Sequence, residues 1–328
     1  MRLIGFELEK VLEFGDDEKK DYLFFKKGPM QVDFQGNIFV VEGATQVIRK
    51  YDKNGILLKT TGRRGQGPQE FMAISALNLW RDYLLVYDML NKRLTQYDLD
   101  LNYRKSENIS AISGLQIACN KDYMFFNQRM ESGIEIVRKK PFFEDKIAIF
   151  NDSQESKYNK YNKSPLFAVY FNHLLSTNLG SGIIVATKTY PITGKIELLY
   201  FNQEGNYLRK TVTEFVSDYK IDARLLDPMQ VVSVSQELKE NEFTYLTVFG
   251  LFPLDENKTI LTYLYKEKRK DSDYGLLLID SQSGKILGRH KIQEQFDVRA
   301  VRDDHVYGFI SDDEDAELKV GVYKMSWK

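Results

Sequence analysis

The stretch that comes nearest to a chemical motif is Gly62 to Phe71, GRRGQGPQEF, three glycines and a proline around two arginines. Gly-rich backbone can turn several N–H groups toward an anion, and Arg63 and Arg64 add positive charge. A nucleotide-binding P-loop also needs Lys-Ser/Thr and a following helix, and neither is present. The stretch reads first as a fixed turn, with Arg63 and Arg64 as contacts for an anionic ligand in a second role.

Other constellations are sparser. His173, His290 and His305 stand apart, with no HExxH or HxH spacing, so no zinc site and no other metal site is assigned. His173 follows Tyr170-Phe171-Asn172 at the expected start of a strand, where a hydrogen-bonded residue beside aromatics is the plainer reading. Ca²⁺ is the one ion with scattered oxygen candidates, Asp33, Asn78, Asn120, Asn178 and Asp297, but no motif supports it, so no cofactor is expected. Asp33 and its counterparts read better as turn formers. The acidic run Ser311 to Glu317 lacks the EF-hand pattern, and the basic run Lys266 to Lys270 occupies the corresponding hairpin one repeat earlier. There is no G-x-S-x-G, and no catalytic residue is assigned. Twenty Tyr and 21 Phe should mostly fill buried sheet faces, leaving Phe71, Tyr170, Phe243, Tyr245 and Phe296 as candidates to stack on a ligand. The ligand-binding candidates are thus Arg63, Arg64, Tyr170, His173, Tyr245, Phe296 and Arg299.

The bulk numbers narrow the partners. Forty-six basic and 47 acidic residues leave a net charge of −1, which removes the electrostatic argument for nucleic acid or an anionic membrane. No stretch approaches the roughly 18 apolar residues of a membrane helix, and the first residues lack a signal-peptide apolar run. The compartment is left open. Cys119 cannot form an internal disulfide, since it is the one cysteine, and reads as a small core residue.

The elements that must position these residues are short strands in a repeat. A polar turn followed by a β-rich run recurs at Val32, Leu77, Ile117, Thr177, Leu251 and Ala300. Each is followed by a strand ending in an apolar anchor and a polar turn, as in Tyr51-Asp52-Lys53-Asn54-Gly55. The anchors Tyr51, Tyr97, Phe150, Phe201, Ile279 and Tyr323 are spaced by 46, 53, 51, 78 and 44 residues. Four of these steps match a four-stranded blade of roughly 40 to 50 residues. The spacing predicts an all-β, six-bladed propeller with four-stranded antiparallel blades as a single domain over residues 1–328. Only five residues follow Tyr323, so the N-terminal run Leu3 to Phe14 is expected to complete the last blade. The long step contains an insertion at about Glu214 to Glu242.

The GxxGxGPxEF loop following Tyr51-Asp52-x-Asn54-Gly55-Ile56-Leu57-Leu58-Lys59 resembles the six-bladed β-propeller family related to NHL-repeat and TolB-like proteins, common in Bacteroidetes. The likeness is specific over about residues 30 to 71. Such relatives usually carry Gly after the proline, where this chain has Gln69. The resemblance implies the fold and, in many relatives, export to the periplasm or cell surface, but no activity. Binding of a small molecule, glycan, peptide or protein partner is the expected function. A metal-dependent hydrolase or lyase with a channel-centred site, and a pure interaction scaffold, are the alternatives.

Overall fold

The computed structural model describes residues 6–15, 23–109, 117–130, 133–143, 146–151, 174–177, 182–190, 195–215, 245–266, 273–292, 295–311 and 318–327. Every regular element among them is a β-strand, and no helix is long and apolar enough to cross a membrane.

The N-terminal β1 (Phe6–Phe14) is followed by blade 1: β2 (Met30–Val32), β3 (Ile38–Glu42), β4 (Val47–Tyr51) and β5 (Leu57–Thr61). A short parallel pair, β6 (Arg63–Arg64) and β7 (Glu70–Phe71), crosses to blade 2: β8 (Ile74–Trp80), β9 (Tyr83–Asp88), β10 (Arg93–Asp98) and β11 (Tyr103–Asn108). Blade 3 comprises β12 (Ile117–Cys119), β13 (Met124–Met130), β14 (Gly133–Lys139) and β15 (Lys146–Asn151). Blade 4 comprises β16 (Leu174–Thr177), β17 (Ile184–Tyr190), β18 (Lys195–Phe201) and β19 (Tyr207–Glu214). Blade 5 comprises β20 (Tyr245–Pro253), β21 (Lys258–Lys266), β22 (Asp273–Asp280) and β23 (Ile286–Lys291). Blade 6 takes β24 (Gln295–Arg302), β25 (His305–Ser311) and β26 (Lys319–Trp327), and β1 is its fourth strand, as the short C-terminal tail predicts. The β1–β26 register runs antiparallel from Phe6↔Trp327 to Phe14↔Val320. The fold is a six-bladed β-propeller.

Burial within a blade follows composition. Second strands carry apolar runs because both faces are covered, as in Ile38–Val41 and Leu84–Tyr87, and all five residues of β3 are buried, the closing Glu42 included. Fourth strands are polar edges: four of five residues in Leu57–Lys59 and its extension to Thr61 are charged or hydroxyl-bearing or lie exposed, and β11 is exposed at every position but Glu107. The third strands share one ending. Tyr51, Tyr97, Phe201 and Ile279 each sit at a β-bulge and are fully buried. The next residue closes the turn by accepting backbone N–H bonds. Asp52 accepts from Asn54 and Ile56 at 2.9 and 2.8 Å, and Asp98 from Asp100 and Asn102 at 3.0 and 2.8 Å. Asn202 and Asp280 do the same in blades 4 and 5. An Asx side chain needs neighbours only two to four residues away, which is why the pattern shows in the sequence.

The chain divides into two compact units. One takes Phe6–Phe126, Lys139–Lys146 and Ile292–Lys328. Its core includes Phe14, Phe24, Tyr51, Phe309 and Val320, with Phe14 and Tyr51 ring centroids 4.7 Å apart. The other takes Asn127–Arg138 and Ile147–Lys291 and has its core on Leu198, Phe215, Leu246, Tyr263 and Leu277. There Arg289 lies over both Phe215 and Tyr263 and donates to the Tyr263 hydroxyl at 2.7 Å.

Candidate functional site

The Gly62 to Phe71 loop joins the fourth strand of blade 1 to the first of blade 2, as expected of a crossing. Its geometry is set by Glu70, whose carboxylate accepts from Gly67 N and from Arg63 Nε, both at 2.8 Å. Those bonds, the one from Gly67 first, hold its pKa below the ordinary value. A Cβ on Gly65 would lie 2.2 Å from Glu70 Oε2, so any other residue there displaces that carboxylate, and its φ of 155° also favours glycine. Gln69 takes φ of 59°, the left-handed conformation that a glycine at this position adopts at no cost. From blade 2, Asn91 Nδ2 donates to Gly65 O at 3.1 Å, and Arg93 donates to Gln66 O and Glu70 O. The Gly67 N–H that a phosphate would need is already bound to the chain's own carboxylate. Arg63 pairs with Glu70 while 78% exposed, and the exposed Arg64 reaches Ala44 O at 3.5 Å.

Two further carboxylates fix the same side of these blades. Glu42, fully buried at the end of β3, accepts from the backbone of Phe25, Lys26, Ala44 and Thr45 and from Thr45 Oγ1, at 2.6 to 3.2 Å. Burial pushes its pKa up, and the bonds from Thr45, Ala44 and Lys26 more than offset this and hold it low. Asp88, at the same position of β9, accepts from Met72 N, Ala73 N, Asn91 N and Asn91 Nδ2. Sequence reasoning missed this pair. The available signal was an acid closing an apolar run, as in Ile38-Phe39-Val40-Val41-Glu42 and Tyr83-Leu84-Leu85-Val86-Tyr87-Asp88. The stretch tied by Glu42 runs close to β3, where a Cβ on Gly28 would meet Val41 O at 2.3 Å. It presents Phe25, 69% exposed, and Lys27.

Three first strands carry a bulge of one kind. The pairing skips Ser75 in β8, Phe249 in β20 and Arg299 in β24. A bulge re-aims the unpaired side chain. In the second unit Phe249 is 51% exposed. In the first unit Arg299 Nη2 donates to Asp297 Oδ2 at 2.7 Å, and Lys27 Nζ lies 3.5 Å from the same oxygen. Gly308 permits this path, because a Cβ on it would meet Asp297 O at 2.3 Å.

The remaining sequence candidates fall as follows. Phe296 and Phe71 are buried at 2% and 0%, with Phe296 packed on Tyr323 at 4.4 Å between centroids, so neither offers a ring for stacking. Phe296 shares the buried face of β24 with Val298 and Ala300, one residue out of phase with Asp297 and Arg299. Tyr245 opens β20 opposite Lys266, its side chain outside the described residues. Tyr170, His173, Asn178 and Phe243 lie outside them, as do the insertion beyond Phe215, the acidic run beyond Ser311 and the basic run beyond Lys266. Asp33 and Asn120 are turn formers: Asp33 accepts from Gln35 N and Asn37 N, and Asn120 from Asp122 N and Tyr123 N. Among the described residues no three His, Cys, Asp or Glu side chains converge on a metal-sized point. Cys119 is buried, and burial pushes its thiol pKa far up.

Solved structures from Bacteroides with the same fold span almost the whole chain. A DUF4221-family protein from Bacteroides vulgatus is 11% identical, covers 99% of each chain and superposes with a TM-score of 0.65. A Bacteroides fragilis protein whose name marks it as a candidate for export is 10% identical over 98% of this chain and 95% of that one, with a TM-score of 0.60. TolB from Acinetobacter baumannii is 13% identical over 91% of this chain and 68% of its own, with a TM-score of 0.49. No curated protein matches the sequence. Identities this low speak to the fold alone. The pattern of the family described as a 6-bladed beta-propeller, DUF5128, matches residues 27–301, and the chain belongs to that family.

Proposed function

We propose that the protein is a binding propeller rather than a catalyst, holding a small molecule, glycan, peptide or protein partner against the crossing side of its blades. The observation that carries this reading is the use made of three carboxylates. Glu42, Glu70 and Asp88 take up the backbone donors of the loops in blades 1 and 2, and side chains carried by those loops point outward: Phe25, Lys27, Arg63 and Arg64. A loop that is already ordered loses little conformational entropy when a ligand arrives, so fixed loops with outward aromatic and cationic groups favour binding. Arg299, thrown out of its ladder by a bulge, adds a cation from a first strand. The family match over residues 27–301 supports treating the chain as one propeller domain.

Immobilised wild-type protein screened against glycan, peptide and metabolite panels tests the reading, with turnover followed for every ligand retained. A ligand recovered unchanged is the expected result. Its chemical conversion would make the protein an enzyme, and retention of nothing from any panel would sink the proposal.

A further inference from the structure

We propose that Lys27, Asp297 and Arg299 form a subsite for a singly charged oxyanion, a carboxylate or a sulfate ester carried by the ligand; this rests on the binding reading above. The three groups meet at one oxygen, Asp297 Oδ2, with Arg299 Nη2 at 2.7 Å and Lys27 Nζ at 3.5 Å. Two cations against one carboxylate leave a single positive charge. Asp297 accepts one guanidinium donor, and Arg299 has five in a planar fork suited to an oxyanion. Each of the three side chains is about one third exposed, so the cluster is open to solvent yet partly desolvated.

The arrangement is built by the fold. The bulge at Arg299 removes that residue from the β24–β25 ladder, and Gly308 lets β24 follow the path the bulge requires. Lys27 sits on the stretch whose Phe25 and Lys26 N–H groups are bound by the buried Glu42 carboxylate. A residual charge of one matches a monoanion better than a phosphate dianion, because each uncompensated charge brought out of water is costly. Phe25, two residues before Lys27 and exposed, would offer its ring to the body of the same ligand.

The test uses the full chain and three small probes, acetate, methyl sulfate and neutral acetamide, titrated at constant ionic strength while NMR follows the Arg299 Nε–H and the Lys27 amide. Saturable shifts with acetate or methyl sulfate, absent with acetamide, are expected, and which anion saturates at lower concentration tells a carboxylate from a sulfate. Arg299→Gln should weaken binding by about tenfold, and Asp297→Asn, which removes the competing carboxylate, should tighten it about threefold. A merely structural Asp297 would not give that opposite sign. Shifts that do not saturate, Lys27 amide shifts that saturate in Arg299→Gln at the same anion concentration as in wild type, or shifts that weaken in Asp297→Asn overturn the subsite. A ligand retained in the panel screen whose affinity Arg299→Gln leaves unchanged would overturn the subsite while the binding reading stands.

Discussion

Glu70 Oε2 occupies the space that a side chain on Gly65 would need, 2.2 Å from the position of its Cβ. The glycine and the acid of the GRRGQGPQEF loop are thus one device. Gly65→Ala should push the carboxylate off Gly67 N and Arg63 and lower stability. In a Glu70→Ala background the same change should cost distinctly less. Urea unfolding of the four variants measures the coupling, and additive effects would refute the match.

Gln69 tests the left-handed turn from the other direction. A residue other than glycine at φ of 59° is strained by about 1 kcal/mol, while glycine adds unfolded-state entropy of similar size. Gln69→Gly should therefore leave the melting temperature unchanged or slightly raised. Gln69→Val, with a β-branched side chain that resists positive φ, should lower stability by about 1–2 kcal/mol.

Phe14 fastens the N-terminal strand to blade 1. Its ring packs on Tyr51 at 4.7 Å and fills the space above Gly55, where a Cβ would come within 2.7 Å of it. Phe14→Ala should cost about 3 kcal/mol and open β1 to limited proteolysis. Val11→Ala in the same strand, at an exposed position, should change stability by under about 0.5 kcal/mol. Equal losses from the two would mean that β1 is not held by its anchor.

Glu42 gives a pH signature. Its folded-state pKa is held below the ordinary 4.5, so its contribution is complete above that value and is lost as pH falls toward the lower folded pKa. Glu42→Gln should cost about 2–3 kcal/mol at pH 7, and its deficit against wild type should shrink below about pH 4.5. A deficit that stays constant across that window, in denaturation curves taken from pH 7 to 3, would show that the charge plays no part.

The chain's order of residues determined the repeat, the blade count and the closing strand. Those features rest on local rules. Tyr51-Asp52 and Tyr97-Asp98 announce their turns because an Asx side chain bonds backbone two and four residues ahead. The GxxGxGPxEF loop was legible for the same reason, with Glu70 only three residues from Gly67. Tertiary structure alone decided which side chains are available to a ligand. Glu42 bonds a stretch 16 and 17 residues earlier, and Asp88 one 15 and 16 residues earlier, and no local pattern links such positions. Phe296 went to the core and Arg299 to the surface because strand neighbours face opposite ways and a bulge shifts the pairing by one, a register fixed by packing against β25 and Tyr323.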